Sequence, residues 1–307
     1  MPKYSVSRSI EIESDPNTVF DKVADYGTWT TWSPWLCAEP DAQVTVSEDS
    51  NSVGASYAWE GEITGAGELE HLQLERGRLI DDEIRFKRPF KSQSRVSFNF
   101  EPVSSGTKVT WNMDGSLPWF MFWMKPMMES FISMDYDRGL SMMKEWIETG
   151  TILSDVQAKG VQSVGPIRMA GVRNSVDFEK IGESMVRDYK KVNQEFERLG
   201  LPMKQGISVY HHFNIKKKIM EYTCGYMVDK HVDAPGINNW DVGSVQALRV
   251  DHIGSYGNLG NAWSAANQIA RYKKLKQSKV GTIEIYRNTP EDTEPADLVT
   301  EIYLPLK

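Results

Sequence analysis

The second half of the sequence can be aligned with itself, and this repeat constrains the fold more than any other feature. One unit contains "GPIRMAGVRNS", a helical pattern, "GISVYHHF" and "KKIMEYTCGYMV"; the other contains "GSVQALRVDHIG", a helical pattern, "VGTIEIYRN" and "DLVTEIYLPL". Tyr210 aligns with Tyr286, 76 residues later, and Glu221 aligns with Glu301, 80 residues later. The predicted helices run from about Glu179 to Leu199 and from about Leu259 to Leu275. Two units of the order strand, helix, strand, strand predict an α+β barrel with an approximate twofold axis.

The first half of the sequence changes its hydrophobic period from that of a strand to that of a helix. Alternation begins at Tyr4 and recurs in "GASYAWEGEI", "RVSFNFEP" and "TKVTWNMDG", which predicts antiparallel strands with one buried face. The apolar residues that share a face are Tyr57 and Trp59, then Val96, Phe98 and Phe100, then Val109, Trp111 and Met113. A helical pattern follows from about Met127 to Glu148. One long helix is therefore expected to cover the sheet.

This order of elements is that of the helix-grip fold, and residues 1–150 resemble the START-like SRPBCC superfamily, the polyketide cyclase/dehydrase and lipid-transport group. The segments "IEIESDPNTVFDKVADYGTWTTWSPW" and "GLSMMKEWIE" carry the resemblance. The resemblance implies a cavity for an apolar ligand between the sheet and the helix, lined by Trp59, Phe98, Phe100 and Trp111. The alternative is that these aromatic side chains fill the space as a solid core. No pair of a histidine and a carboxylate is recognised in this half, where His71 stands alone.

The segment "LPWFMFWMKPMM" between the last strand and the long helix admits two interpretations. It is apolar enough to form a lip that enters a membrane at a lipid portal. A cluster of basic residues, which would favour binding to a lipid surface, does not flank it. The sequence therefore favours a lid or a core segment.

The second half, residues 160–307, resembles the GyrI-like small-molecule-binding domain, which also forms the effector domain of AraC-type and MerR-type regulators. The segments that carry the resemblance are "HIGSYGNLGNAW", "GTIEIYRNTPEDTEPADLVTEIYLPL", "YHHF" and "CGYMV". The glycines at Gly254, Gly257 and Gly260 do not have the spacing of a dinucleotide-binding loop or of a P-loop. Gly254 and Gly257 are instead expected to permit a tight turn before the helix, and no cofactor is predicted.

The last strand carries the candidate site residue of this half. Alternation in "DLVTEIYLPL" places Glu301 between apolar and aromatic neighbours, and a carboxylate buried there requires a partner or a ligand. The resemblance implies that Glu301 lies at the floor of an aromatic cleft that binds a cation. The aromatic residues expected around it are Tyr210, Tyr226, Trp263, Tyr286 and Tyr303. The alternative is that Glu301 forms an ion pair with a neighbouring arginine such as Arg249 or Arg287.

Catalytic residues are not identified by the sequence, and Glu301 and Tyr286 are the candidates for such a role. His252 is near enough to the predicted cleft to serve as a base, although a lone histidine more often has a structural role. His211 and His212 are adjacent on a predicted strand, so their side chains point to opposite faces and are unsuited to sharing a metal ion.

Composition narrows the class of protein. The net charge is −7 over 307 residues, with −11 up to Asp155 and +4 after it, so the two parts differ in composition. The change of composition and the segment "TILSDVQAKGVQSVGP" predict a linker between the two domains.

The arrangement of the basic residues and cysteines excludes some classes of protein. Basic residues are scattered over helical patterns, so specific nucleic-acid binding is not expected. Cys37 and Cys224 form no disulfide or zinc pattern, and no signal sequence or membrane span is recognised, so a cytoplasmic location is expected.

Together these observations predict a two-domain protein that binds an amphiphilic or cationic small molecule in the C-terminal cleft and an apolar ligand in the N-terminal cavity. A hydrolase that acts on an electrophilic small molecule or toxin through the same cleft is the alternative. The oligomeric state is not predicted by the sequence.

Overall fold

In the computed structural model, which describes residues 2–214 and 217–307, the chain divides into two compact units. The first spans Met1–Ile152 and the second spans Leu153–Lys307. Each unit contains one antiparallel sheet covered by helices, which confirms the predicted α+β fold class. No helix in the described part of the chain is long and apolar enough to cross a membrane.

The first unit is a seven-stranded antiparallel sheet in the order β1-β7-β6-β5-β4-β3-β2. Its strands are β1 (Lys3–Ile12), β2 (Gln43–Val46), β3 (Ser56–Glu60), β4 (Ala66–Glu75), β5 (Leu79–Arg88), β6 (Ser92–Val103) and β7 (Gly106–Ser116). Its helices are α1 (Pro16–Ala24), α2 (Trp29–Trp32) and the long α3 (Lys125–Thr149). The predicted long helix and the predicted strands of period two are all present.

Trp111 lies at the centre of the core between the sheet and α3. Its ring stacks on Phe98 of β6 with centroids 4.8 Å apart, and on Tyr136 of α3 with centroids 3.9 Å apart. Gly139 lets α3 approach this closely, because a Cβ atom there would lie 2.8 Å from the Trp111 ring. The alternating residues of β6 and β7 therefore form the surface on which the helix packs.

The second unit is an eight-stranded antiparallel sheet in the order β12-β9-β11-β10-β14-β15-β13-β8. Its strands are β8 (Ser154–Val164), β9 (Ile167–Asp177), β10 (Gly206–Asn214), β11 (Ile219–Met227), β12 (Asn238–Val242), β13 (Val245–Gly254), β14 (Thr282–Tyr286) and β15 (Val299–Pro305). Its helices are α4 (Ile181–Leu199) and α5 (Gly260–Tyr272). Strands β9, β10 and β11 with α4 form one repeat, and β13, β14 and β15 with α5 form the other.

The two repeats meet where β10 pairs with β14. Ser208 lies directly opposite Glu284, and Tyr210 and Tyr286 lie two residues beyond this pair on their strands. An approximate twofold axis through the pair therefore relates Tyr210 to Tyr286, as the alignment of the repeats predicts. The predicted equivalence of Glu221 and Glu301 is wrong, because Val209 pairs with Thr223 and the corresponding Ile285 pairs with Glu301. Thr223 is therefore the counterpart of Glu301, and Glu221, which pairs with His212, lies two residues away from it on β11.

The predicted linker is also wrong for most of its length. Ser154–Val164 forms β8, which pairs with β13 along its whole length, with an irregularity between Arg249 and Val250. This strand lies at the edge of the sheet and is half-exposed, so its polar composition obscures the strand pattern. Only residues 150–153 separate α3 from β8.

We expect limited proteolysis of the full chain to cut first within residues 150–153 and to leave β8 intact. Gly150 and Thr151 are exposed and lie outside regular structure, whereas the backbone of β8 is held by its hydrogen bonds to β13. Mass spectrometry of the first fragments identifies the site of cleavage. Early cleavage inside Ser154–Val164 would show that β8 is not stably paired.

Candidate functional site

Glu284 is the centre of the candidate site. It lies in the middle of β14, is fully buried, and faces the side of the sheet on which α4 and α5 pack. Residues directly opposite each other on antiparallel strands share a face, so Ser208 of β10 and Ile302 of β15 lie on this side as well. The carboxylate is thus placed at the junction of the two repeats.

Three neutral donors converge on the Glu284 carboxylate. The hydroxyl of Tyr210 donates to Oε2 at 2.8 Å, and the hydroxyl of Tyr286 donates to the same oxygen at 2.6 Å. The indole N–H of Trp263, from the first turns of α5, donates to Oε1. Ser208 Oγ lies 3.1 Å from the Tyr286 hydroxyl. The carboxylate is therefore held in one orientation by side chains from both repeats.

These surroundings shift the pKa of Glu284 upward. Burial raises the pKa of its carboxyl, and the hydrogen bonds from Tyr286, Trp263 and Tyr210 offset only part of that rise. Burial also raises the pKa of the Tyr210 and Tyr286 hydroxyls, and the neighbouring Glu284 raises both further. Both tyrosines therefore remain protonated donors at neutral pH.

Further tyrosine rings surround this centre. Tyr189 of α4 lies edge-on to Tyr286, with centroids 6.1 Å apart, and Tyr256 lies edge-on to the same ring at 5.7 Å. Tyr226 of β11 lies 6.1 Å from Tyr189, and its hydroxyl donates to Asn193 at 2.8 Å. We name the rings of Tyr189, Tyr210, Tyr226, Tyr256, Tyr286 and Trp263 the aromatic cluster. Tyr256 is 38% exposed, so the cluster reaches solvent on that side.

The turn before α5 positions Trp263. Gly254 ends β13 with φ 134°, and a Cβ atom there would lie 2.1 Å from the carbonyl oxygen of Leu153. Ser255 then accepts a hydrogen bond from the backbone N–H of Gly257. Of the two glycines predicted to permit this turn, only Gly254 has a conformation that requires glycine, since Gly257 has no positive φ.

Glu301 lies on the opposite face of the sheet from Glu284. It is directly opposite Ile285 on β14, and it is 4% exposed. Arg249 donates to its Oε1 at 2.6 Å, and Arg287 donates to its Oε2 at 2.6 Å. The hydroxyl of Tyr303 donates at 2.9 Å. The predicted position of Glu301 among Tyr210, Tyr286 and Trp263 is therefore wrong, and the arginine pairing that the sequence left as an alternative is present.

Opposing effects act on the pKa of Glu301. Burial raises it, but the hydrogen bonds from Arg287 and Tyr303 and the charges of Arg249 and Arg287 outweigh burial, so the pKa lies below the usual value. A carboxyl whose pKa is depressed on folding stabilises the folded state above its usual pKa, and that stabilisation is lost as the pH falls through the depressed value.

We expect Glu301→Gln to lower the free energy of unfolding of the second unit by about 1 to 3 kcal/mol at neutral pH. The reason is that it removes the charge-assisted hydrogen bonds that a buried carboxylate accepts. The two arginines are partly exposed and can be hydrated, which limits the loss. Urea unfolding measures the change, which should disappear in acid as Glu301 of the unsubstituted protein is protonated. An equal loss at all pH values would contradict the ion-pair role.

The structure brings together three of the six predicted ligand residues, Tyr210, Trp263 and Tyr286. Tyr226 lies at the far side of the aromatic cluster, and Tyr303 lies with Glu301 on the other face. Sequence reasoning missed Glu284, Tyr189 and Tyr256. The signal for Glu284 is present in "TIEIYRN", because a residue two positions from Tyr286 on a strand must share its face.

His252 is fully buried, and burial lowers its pKa to about 4. Its Nε2 lies 3.1 Å from Ser154 Oγ, away from Glu284 and its three donors. The side chain is therefore neutral at neutral pH and contacts β8. Among the described residues, no group of histidine, cysteine and acidic side chains has the arrangement of a metal site.

The four aromatic residues expected to line a cavity in the first unit pack instead into its core. Phe98, Phe100 and Trp111 are at most 3% exposed, and Trp59 packs edge-on against Phe86 at 5.9 Å. A cavity of about 690 Å³ lies elsewhere in this unit, and its charged lining residues are Lys3, Glu83, Arg95, Asp114, Lys125 and Glu129. The packing of the four aromatic residues therefore agrees with the alternative of a solid core.

His71 has a carboxylate partner, contrary to the sequence interpretation. Its Nδ1 lies 2.6 Å from Asp82 Oδ1, and its Nε2 donates to the carbonyl oxygen of Ala24 at 2.8 Å. Both side chains are completely buried, and the ring of Tyr26 stacks on the imidazole at 3.9 Å. The pair is enclosed on all sides and has a structural role.

Comparisons with known proteins agree with this architecture. Residues 3–148 match the family model described as polyketide cyclase / dehydrase and lipid transport. Residues 161–307 match the GyrI-like small molecule binding domain. No curated protein matches the chain.

Solved structures resemble one or the other half of the chain. A protein of Chromobacterium violaceum is 16% identical, with 47% of this chain and 98% of that chain covered and a TM-score of 0.37. The Aha1 dimer of Colwellia psychrerythraea is 14% identical, with 48% and 97% covered and a TM-score of 0.36. The EcmrR C-terminal domain is 21% identical, with 50% and 98% covered and a TM-score of 0.42.

The two family matches follow each other along the chain and correspond to the two antiparallel sheets with their helices. The chain therefore belongs to two families in tandem: its first part is a domain of the polyketide cyclase / dehydrase and lipid transport family, and its second part is a GyrI-like small molecule binding domain.

Proposed function

We propose that the second unit binds a cationic, amphiphilic small molecule at the aromatic cluster, with Glu284 as the counter-ion. The observation that carries this proposal is the difference between two buried carboxylates of the same sheet. Glu301 is paired with Arg249 and Arg287, whereas the described partners of Glu284 are the neutral side chains of Tyr210, Trp263 and Tyr286.

Burial of a carboxylate without a cationic partner is costly, and a sheet centre filled by an apolar residue would avoid that cost. The cost is understandable if a ligand supplies the positive charge. Hydroxyl and indole donors keep the carboxylate oriented before the ligand arrives, so little reordering accompanies binding.

The rings of the aromatic cluster suit the rest of such a ligand. A cation close to the face of a tyrosine or tryptophan ring is attracted by about 0.5 to 2 kcal/mol for each ring, with the larger values in desolvated sites. The same rings provide apolar surface for the hydrophobic part of the ligand. Tyr256 lies at the solvent side of the cluster and is the natural point of entry.

Titration calorimetry of the full chain tests the proposal with two phenyl-substituted phosphorus compounds, the cation tetraphenylphosphonium and the uncharged triphenylphosphine oxide. We expect the cation to bind more tightly, because only the cation interacts with the charge of Glu284. Equal affinity for the two compounds would contradict a counter-ion role.

A hydrolytic function is the second candidate, and the observation in its favour is the distance of 2.6 Å between the Tyr286 hydroxyl and Glu284. In such a reaction Glu284 would accept a proton from water while the oxygen attacks an electrophilic carbon of a strained ring. Tyr286 would donate its proton to the atom that leaves that carbon. Turnover of an epoxide such as styrene oxide, absent in Glu284→Gln, would favour this function over binding alone.

A further inference from the structure

The connection between β7 and α3 exposes four aromatic side chains. Trp119 is 76% exposed, Phe120 59%, Phe122 64% and Trp123 66%. We name these four residues the aromatic tip. Of the two interpretations that the sequence favoured here, a lid or a core segment, the core segment is wrong, because all four side chains are more than half exposed. Large contiguous apolar surfaces of this kind mark sites of interaction.

The aromatic tip is convex. Trp119–Met124 is a 3₁₀ helix, in which residues three apart lie on the same side. Trp119 and Phe122 therefore share one side of the turn, and Phe120 and Trp123 share the next. Met121 and Met124, which are half-buried, take the third side towards the protein. Apolar rings thus cover two adjacent sides of a protruding turn.

A further apolar side chain, outside the aromatic tip, is exposed at the same end of the sheet. Strand β6 lies between β5 and β7, and its first residues neighbour the end of β7 that leads into the aromatic tip. The turn that precedes β6 carries Phe90, which is 74% exposed. Phe90 therefore extends from the same edge as the aromatic tip.

The charges on these two segments are all positive. Residues 117–128 contain Lys125 and no acidic residue, and residues 86–92 contain Lys87, Arg88 and Lys91 and no acidic residue. Lys87 and Arg88 also contact Glu68 and Glu60, which lie behind them on β4 and β3. Lys125 likewise lies 3.7 Å from Glu129, the first residue after its segment. The two segments therefore form a basic margin beside the aromatic side chains, although three of its four basic residues also contact a carboxylate outside the segments.

We propose that this end of the first unit docks on the surface of a phospholipid bilayer that contains anionic lipids, with the rings of the aromatic tip and Phe90 inserted at the level of the headgroups. Tryptophan is enriched at that level of membranes, because its ring is apolar and its N–H is polar. Basic side chains beside the inserted rings are attracted to anionic headgroups. This inference is independent of the ligand site at Glu284.

A bilayer fits this surface better than a second copy of the chain. A convex turn with rings on two sides needs a concave partner to bury both sides, and two identical convex turns cannot supply one to each other. A fluid interface encloses a protruding turn from every side. The absence of acidic residues in both segments also favours an anionic surface over a protein surface of mixed charge.

Co-sedimentation of the full chain with vesicles tests the proposal, using phosphatidylcholine alone and phosphatidylcholine containing phosphatidylglycerol as a minority lipid. We expect binding to the mixed vesicles, with a loss of about 10-fold or more in the variant Trp119→Ser/Trp123→Ser, since two inserted rings are removed. The matched control is Val186→Ser on α4, where an apolar side chain that is 75% exposed lies outside the surface and should be replaceable without effect.

Brominated lipids give a second measurement. Bromine quenches nearby tryptophan emission, so vesicles of brominated phosphatidylcholine and phosphatidylglycerol should lower the tryptophan fluorescence of the full chain. The variant Trp119→Phe/Trp123→Phe should bind as well as the unsubstituted protein and lose most of the quenching. Absence of vesicle binding, or binding that the serine variant does not weaken, overturns the proposal. A change from dimer to monomer in the serine variant, seen by light scattering, would identify the surface as an interface between copies and would also overturn it.

Discussion

Glu284→Gln is expected to lower the affinity of the full chain for tetraphenylphosphonium by about 10- to 100-fold, the effect of removing a charged partner from a buried contact. The substitution preserves the shape of the side chain and leaves an acceptor for Tyr210 and Tyr286. Affinity for uncharged triphenylphosphine oxide should change little, because the rings of the aromatic cluster remain in place. Any effect of the acceptor that Trp263 loses is shared by the two compounds, so the change in the ratio of their affinities on substitution reports the loss of the charge.

Glu301→Gln is the matched control for this experiment. It makes the same substitution in the adjacent strand of the same sheet, but on the opposite face and with Arg249 and Arg287 as partners. We expect it to reduce stability and to leave the affinity for the cation unchanged. If Glu301→Gln weakened cation binding and Glu284→Gln did not, the cation would bind beside Glu301, as the sequence analysis predicted, and not beside Glu284.

The pH dependence of binding follows from the raised pKa of Glu284. Below its pKa the carboxyl is neutral and cannot serve as a counter-ion, so affinity for the cation should rise as the pH rises through that value. The same ionisation of a buried group destabilises the ligand-free unit as the pH rises. Glu284→Gln should remove the pH dependence of binding, and calorimetry at several pH values measures it.

The second large effect is expected in the first unit, where Asp82→Ala should lower the free energy of unfolding by about 3 to 5 kcal/mol. Burial raises the pKa of the Asp82 carboxyl, and the hydrogen bond from His71 opposes that rise, so each group depends on the other to be buried. Removing the carboxylate leaves the imidazole Nδ1 without its partner and creates a cavity beside the imidazole on which the Tyr26 ring stacks.

Asp81→Ala provides the control for this experiment. Asp81 is the preceding residue of β5, so its side chain lies on the other face, where it pairs with Arg95 at 2.7 Å and is partly exposed. Its removal should cost at most about 1 kcal/mol. Tryptophan fluorescence during urea unfolding reports on this unit, since eight of the ten tryptophans lie in residues 1–152. Equal effects of the two substitutions would show that His71 and Asp82 do not depend on each other.

The parts of the fold that follow from local periodicity could be predicted from the sequence. Alternation in β6 and β7 places Phe98 and Trp111 on one face, and the helical pattern near α3 supplies the element that covers them. The strand β8 could not be recognised, because an edge strand exposed along much of its length has no apolar alternation to detect.

The candidate site was predicted only in part because its decisive contacts depend on the register between strands. The sequence shows that Glu284 and Glu301 each lie among apolar neighbours, but it does not show which face of the sheet the helices cover. It also does not show that Arg249, on β13, lies beside Glu301. The pairing of His71 with Asp82 depends in the same way on the hairpin of β4 and β5, whose register shifts between His71 and Gln73.

The approximate twofold axis between β10 and β14 also sets the valence of the proposed site. The axis relates Tyr210 to Tyr286, so both halves supply a hydroxyl, but it relates Glu284 to Ser208, so only one half supplies a carboxylate. A monocation meets one opposite charge at the centre of the sheet. A dication would bring a second charge into the same desolvated space without a counterpart, and its burial would be costly. In the proposed site, the unequal central pair of the duplicated scaffold would therefore favour a ligand with a single positive charge.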